Sequence, residues 1–71
     1  MRILGIDPGT AICGWSVLDY IGNKFALVDY GVVRTPAGQE LEKRLLTIYE
    51  ELKALMERYN PDAMAVEELF F

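Results

Sequence analysis

The sequence has little of several features that would assign it to a class of protein. It has a single cysteine, Cys13, and so cannot form an internal disulfide, which is typical of a reducing, cytosolic setting. It has no run approaching about 18 apolar residues and no basic leader before an apolar segment. It also has no repeat, low-complexity tract or linker. We therefore expect a soluble cytoplasmic protein with no membrane partner.

Basic residues are also few. The 7 Lys and Arg residues stand against 11 Asp and Glu residues, which gives a net charge of −4. Surfaces that bind phosphate groups directly usually carry clustered Lys and Arg, and the composition argues against such a surface. A nucleic-acid enzyme whose acidic residues hold metal ions is still compatible with this charge.

The length of 71 residues limits the chain to one small domain, which would bury only about 60% of its surface. Yet 52% of the residues are apolar, and the sequence closes on "VEELFF" with nothing after the aromatic pair to cover it. We therefore expect residues 1–71 to be the N-terminal part of a single larger domain, or a subunit that assembles.

Three segments have the pattern of β-strands, at residues 1–7, 14–20 and 24–35. The turn "IGNK" at residues 21–24 contains a Gly-Asn pair that tolerates positive φ. Such short connections predict an antiparallel meander. Alternation in the third strand predicts one face made of Phe25, Leu27, Gly31 and Val33.

One long amphipathic helix is predicted at residues 39–59, and it ends at Asn60-Pro61 because proline cannot continue the hydrogen-bond ladder. A last strand follows at residues 62–70. A helix of this length permits a crossover that lays the fourth strand parallel beside the first. The helix has an apolar stripe that needs the sheet as its partner, formed by Leu41, Leu45, Ile48, Leu52, Leu55 and Tyr59.

Two carboxylates are the main candidates for chemistry. Asp7 ends the first strand and Glu67 lies near the end of the fourth, so parallel pairing would bring both to one edge of the sheet, where ligands usually bind. Two carboxylates about 5 Å apart repel by roughly 3 kcal/mol, and a cation between them removes that cost. Mg²⁺ suits such oxygen ligands and can activate water to attack a phosphodiester.

Simpler interpretations of the same residues remain open. An Asp before Pro-Gly often forms a turn, and Glu67 could be a solvent-exposed acid, with Glu68 equally well placed for the metal. Thr10 could contact a phosphate or cap its own loop. Gly9 is interpreted as a turn residue with positive φ, and Gly14 as a site of close backbone approach.

Three segments together resemble the N-terminal part of the RuvC family of Holliday junction resolvases: "RILGIDPGTAICGWSVLD", "RLLTIYEELKALMERYNPD" and "MAVEELFF". The resemblance implies an α/β, ribonuclease H-like fold: a three-stranded antiparallel meander, a helix, then a strand parallel to the first, in an incomplete domain. Asp7 matches the family's first metal-binding acid and Glu67 its second. Phe70 matches an aromatic residue that could stack on an opened base, and stacking is worth roughly 1–3 kcal/mol.

The resemblance further implies a Mg²⁺-dependent endodeoxyribonuclease of DNA recombination and repair, in which Mn²⁺ can substitute. Its expected partners are four-way junction DNA, a second copy in a homodimer, and branch-migration proteins. Family members are more than twice as long as this chain, and two further active-site acids lie near their C-terminus. The isolated 71-residue chain is therefore expected to have little or no nuclease activity.

Other families share parts of this pattern. "GIDPGT" also resembles the first phosphate loop of the actin, Hsp70 and sugar-kinase superfamily, in which Asp7 would serve ATP binding, although "AVEELFF" has no role there. Small resolvase-like RNA-processing nucleases begin similarly, but the long helix and "VEELFF" fit them less well. A non-catalytic interaction module that keeps the fold is a third alternative.

Overall fold

The computed structural model describes residues 1–9 and 12–67. The elements along the chain are β1 (Arg2–Asp7), β2 (Ile12–Ile21), β3 (Lys24–Arg34), α1 (Leu41–Tyr59) and β4 (Ala63–Val66). They form one sheet in the order β3-β2-β1-β4. The pairs β1–β2 and β2–β3 are antiparallel, and β4 runs parallel to β1, so the predicted topology is confirmed.

Local sequence explains where the strands turn and where the helix ends. Gly22 and Asn23 have φ values of 56° and 63°, as expected for the tight β2–β3 turn. Asn60 ends α1 in the left-handed conformation with φ of 48°, and its N–H donates to the Met56 carbonyl oxygen. Pro61 follows directly, where a helix cannot continue.

The hydrophobic core lies between α1 and one face of the sheet. Its buried members come from the three N-terminal strands: Leu4, Ile6, Cys13, Val17 and Val33. Ile48, Leu52 and Tyr59 of α1 pack on this cluster together with Trp15. We call this the helix-covered face of the sheet. Among the described residues, no helix or loop covers the opposite face, which we call the open face.

The sheet covers only part of the apolar stripe of α1. Ile48, Leu52, Leu55 and Tyr59 are half-buried, whereas Leu41 and Leu45 are 59% and 52% exposed. The prediction that the sheet partners the whole stripe is therefore wrong for its N-terminal turns. The described part of the chain contains no helix that is both long enough and apolar enough to cross a membrane.

A β-bulge changes the predicted faces of β3. Leu18 pairs with Leu27 and the adjacent Val17 pairs with Asp29, so Val28 is an extra residue in the ladder. Because side chains alternate with a period of two, one extra residue exchanges the faces beyond it. Phe25 and Leu27 consequently lie on the open face, 65% and 58% exposed, while Gly31 and Val33 lie on the helix-covered face. The predicted common face for these four residues is wrong.

The beginning of β4 is held in register with β1 by two hydrogen bonds between Arg2 and Asp62. The Arg2 N–H donates to the Asp62 carboxylate at 2.7 Å, and the Asp62 N–H donates to the Arg2 carbonyl oxygen at 2.7 Å. The Arg2 guanidinium binds both oxygens of Asp19 at the end of β2, at 2.9 and 3.0 Å, which lowers the pKa of that carboxyl. β4 spans Ala63–Val66, so it begins one residue later than predicted, and Glu67 lies just after it. Residues 68–70 of the predicted strand lie outside the described residues.

Two aromatic residues connect α1 to the centre of the sheet. The Tyr59 hydroxyl donates to the Asp29 carboxylate of β3, and the Tyr59 ring lies 6.1 Å from that of Trp15. The Trp15 ring lies over Gly31, where an added Cβ would come within 2.7 Å of it. Gly31 is therefore required for packing, since any larger residue would displace the Trp15 ring.

Replacing Gly31 with alanine tests this packing. We expect Gly31→Ala to lower the free energy of unfolding by about 1–3 kcal/mol, because the new methyl overlaps the indole ring. Denaturant unfolding followed by circular dichroism measures the effect. In a Trp15→Leu background the same substitution should cost less, and an equal cost in both backgrounds would contradict the proposed clash.

The Tyr59–Asp29 hydrogen bond gives a prediction about pH. It lowers the pKa of Asp29 and raises that of Tyr59, so its contribution is complete near neutral pH. The stabilisation by this hydrogen bond is lost as pH falls through the lowered pKa of Asp29, and also as pH rises through the raised pKa of Tyr59. We expect Tyr59→Phe to lower the melting temperature by several degrees at pH 7 and by less at strongly acidic pH. Thermal melts of both proteins across this range measure the difference, and a pH-independent difference would contradict it.

Candidate functional site

Asp7 and Glu67 lie next to each other at one edge of the sheet. Ile6 pairs with Val66 in the parallel ladder, so the next positions, Asp7 and Glu67, are neighbours. The Glu67 N–H donates to the Ile6 carbonyl oxygen at 3.0 Å, which extends this contact past the end of β4. Ile6 is buried on the helix-covered face, so alternation places Asp7 and Glu67 on the open face. The predicted juxtaposition of residues 7 and 67 is therefore present.

Both carboxylates are exposed. Among residues 1–9 and 12–67, neither one accepts a hydrogen bond or takes part in an ion pair. The same part of the chain holds no group of three or more Asp, Glu, His or Cys residues that could bind a metal ion. Two carboxylate groups on neighbouring strands thus form the acidic centre of this edge.

The acidic pair lines a shallow groove of about 540 Å³ on the sheet. None of the described residues that line the groove is basic. Half of them are small: Gly5, Gly14, Ser16, Gly31 and Ala65. Asp7 pairs directly with Gly14 across the β1–β2 ladder, and Gly5 pairs with Ser16. The groove therefore has carboxylates at one end, and beside them the glycines leave the strand backbone with no side chain above it.

Gly9, in the turn after Asp7, is required for a reason other than the predicted one. Gly9 does not have a positive φ, contrary to expectation, since only Gly22 and Gly38 do among the described glycines. A Cβ on Gly9 would instead lie 2.2 Å from the Ile12 carbonyl oxygen. Glycine is needed there because the backbone at the start of β2 passes close by. Close backbone approach thus applies to Gly9, whereas at Gly14 the nearest neighbour is the Asp7 side chain.

A second groove, of about 370 Å³, lies on the helix-covered side of the same edge. Pro8 and Gly9 form one wall and Leu45 and Leu52 of α1 form another. Its lining is apolar, in contrast to the acidic groove on the open face. Ile6 and Val66 contribute to both grooves, so the strand ends separate an acidic space from an apolar one.

Three predicted site residues cannot be compared with the structure. Thr10, Phe70 and the alternative ligand Glu68 lie outside the described residues, so their roles stay predictions. Sequence reasoning did not identify Gly5 and Ser16 as groove residues. These two residues are identified only by the β1–β2 register, in which Gly5 pairs with Ser16 next to the pair of Asp7 with Gly14. This register cannot be deduced from the sequence of either strand alone.

Comparison with known proteins agrees with this geometry. The family model described as "Crossover junction endodeoxyribonuclease RuvC" matches residues 3–71. Relatives of that name from Alkaliphilus oremlandii and Chloroflexus aggregans are 52% and 55% identical over all 71 residues. Two structures of Thermus thermophilus RuvC, one of them in complex with a Holliday junction substrate, superpose with a TM-score of 0.88 at 34% and 33% identity over the whole chain.

The fold and the paired acids define the class first: this is part of a ribonuclease H-like domain with an acidic edge between its parallel strands. The match over residues 3–71 then identifies the family, and the chain belongs to the RuvC family. It spans about 43% of the length of the Alkaliphilus and Chloroflexus relatives and 45–46% of the two Thermus chains.

A more distant likeness concerns the fold alone. The Aquifex aeolicus PPX-GPPA enzyme superposes on 93% of the chain with a TM-score of 0.74, at 17% identity. Such a low identity carries no argument about activity. It shows only that this fold also occurs in a protein of different sequence.

Proposed function

We propose that this chain contributes half of the active site of a metal-dependent nuclease that resolves four-way DNA junctions. The observation that carries the proposal is that Asp7 and Glu67 directly follow the paired residues Ile6 and Val66 and so lie side by side on the open face, in a chain of the RuvC family. The Thermus thermophilus relative bound to a Holliday junction substrate supports junction DNA as the ligand.

The donor set fits a hard divalent cation. Two adjacent carboxylates supply oxygen ligands only, and they lie in an open groove with room for water and phosphate oxygens. Mg²⁺ typically binds through one or two carboxylates and keeps several waters, so we assign Asp7 and Glu67 as its ligands, with Mn²⁺ as a substitute. When bound, such an ion polarises the phosphodiester and lowers the pKa of a coordinated water.

The residues of the chain would contribute position and access. Asp7 and Glu67 are fixed by neighbouring strands, which hold their backbones about 4.8 Å apart. α1 packs through Ile48 and Leu52 on the core cluster that contains Ile6, the residue before Asp7 in β1. The uncovered strand backbone beside Asp7 allows a sugar-phosphate backbone to approach the carboxylates.

The remaining expectations belong to the complete protein. Two further acids, a homodimer that presents two sites to a symmetric junction, and branch-migration partners are parts of the same proposal that no described residue tests. Phe70 is assigned to DNA contact on the resemblance alone, and Thr10 because it could contact a phosphate. The ATP-binding alternative draws support only from the loop sequence and from fold-level likeness, and the family membership favours the nuclease.

Metal binding by the 71-residue chain is the first test. We expect Mn²⁺ to broaden the amide NMR signals of residues 6, 7 and 67 selectively, since paramagnetic broadening falls off steeply with distance. Asp7→Asn and Glu67→Gln should each weaken this binding by about tenfold or more, because each removes a charged ligand.

The matched control for this test is Glu50→Gln on the exposed side of α1, which makes the same change of charge away from the groove. It should leave the Mn²⁺ titration unchanged. If the Asp7 and Glu50 substitutions weakened Mn²⁺ binding equally, the binding would be a general electrostatic attraction. The assignment of Asp7 as a metal ligand would then be wrong.

Junction cleavage tests the activity. We expect the 71-residue chain alone to leave a four-way DNA junction uncut in Mg²⁺. A chimera in which it replaces the matching part of the Alkaliphilus oremlandii relative should produce symmetric nicks, seen on a denaturing gel. Asp7→Asn in the chimera should lower the cleavage rate at least about 100-fold, since even outer-shell changes cost about 10- to 100-fold.

A chimera that folds and binds junction DNA but cuts it equally well with Asn at residue 7 would contradict the nuclease assignment. Clean cleavage by the isolated chain would instead contradict the expectation that additional acids are required. Glu50→Gln again serves as the charge-matched control.

A further inference from the structure

We propose that Gly14 is a positioning residue of the metal site: its missing side chain keeps open the space in which the other ligands of the ion held by Asp7 must lie. This inference rests on the proposed metal site at Asp7 and Glu67. It assigns a role to a residue that is not itself a ligand.

The position of Gly14 follows from the strand registers. Gly14 pairs with Asp7 on one side and with Val32 on the other, and Glu67 lies beyond Asp7. These four residues form one row across the open face. Neighbouring strands are about 4.8 Å apart, so the side chains of Asp7 and Val32 stand about 10 Å apart with no side chain between them.

The space above Gly14 is next to a carboxylate oxygen. A Cβ built on Gly14 would lie 3.5 Å from the Asp7 Cβ and 4.0 Å from its Oδ2 atom. Both are ordinary contact distances, so a methyl group fits without moving Asp7. It would, however, occupy the volume directly beside the oxygen that is to bind the ion.

Coordination geometry makes that volume necessary. Octahedral ligands about 2.1 Å from Mg²⁺ lie about 3 Å from each other, so a water or phosphate oxygen next to a bound Oδ2 falls within 3 Å of it. A methyl carbon at the Gly14 Cβ position, 4.0 Å from Oδ2, would crowd any such ligand that lies on the Gly14 side of this oxygen. Glu67 already occupies the opposite side of Asp7.

Backbone conformation does not explain why residue 14 is glycine. Its φ is not in the left-handed region, and no described backbone atom lies within 4 Å of its Cβ position. A glycine inside a strand weakens the strand, so an alanine or valine should stabilise the fold if stability alone decided. Loss of ligand space with no loss of stability distinguishes a positioning role from a structural one.

The test uses the complete 71-residue chain with Mn²⁺ as the probe. We expect Gly14→Ala to weaken Mn²⁺ binding about fivefold or more, and Gly14→Val to weaken it further, in the amide line-broadening titration. The melting temperature of both variants should equal or exceed that of the wild type. Mn²⁺-dependent relaxation of water protons should also fall, because fewer waters remain bound to the ion.

Ala63→Val is the matched control. It adds apolar side-chain volume to the same face of the sheet, on β4 and four residues before Glu67, at a residue that does not line the acidic groove. Its Mn²⁺ affinity should stay within twofold of the wild type. This comparison separates occupation of the space beside Asp7 from a general effect of added volume on the open face.

The outcomes distinguish the two proposals. If Asp7→Asn abolishes Mn²⁺ binding while the Gly14 variants bind like the wild type, the role of Gly14 is wrong and the metal site stands. Weaker binding accompanied by a lower melting temperature would also overturn the positioning role, since it indicates a structural one. If the wild-type chain binds no Mn²⁺, both proposals fail.

Discussion

The parallel pairing of β4 with β1 is the constraint on which the acidic edge depends. Sixty positions separate Asp7 from Glu67 in sequence, and one ladder makes them neighbours. The pairing is anchored at its beginning by the reciprocal Arg2–Asp62 contacts and continued at its end by the Glu67–Ile6 hydrogen bond. A shift of one residue would turn Glu67 away from the groove, because side chains alternate between faces. The register is thus as important to the site as the acids themselves.

The two faces of the sheet are built for different purposes. On the helix-covered face, Leu4, Val17 and Cys13 are almost fully buried and Tyr59 is bonded to Asp29 across the core. On the open face, small residues replace large ones near the acids, and large apolar residues lie farther away on β3. Packing on the helix-covered face stabilises the sheet, and the open face leaves the two acids accessible. This division lets a small sheet hold two like charges close together.

Much of the fold could be predicted from local patterns. The Gly-Asn turn, the amphipathic helix ended by Asn60-Pro61 and the crossover that follows it each have a clear signal, and together they place Asp7 beside Glu67. The bulge at Val28 has no such signal, because an alternating apolar strand looks alike in either phase. The predicted positive φ of Gly9 is wrong, and the close approach to Ile12 that requires glycine there depends on the path of the next strand. The groove floor likewise needed the pairing of Gly5 with Ser16, which is tertiary information.

The bulge in β3 has a consequence for how this strand can vary. Before Val28 the odd-numbered side chains face the open side, and after it the even-numbered ones do. The two halves of the strand are therefore out of phase, and each is shaped by a different neighbour. Substitutions along β3 must therefore be compared separately for the residues before Val28 and for those after it. An insertion or deletion at the bulge would exchange which side chains of one half face the open side.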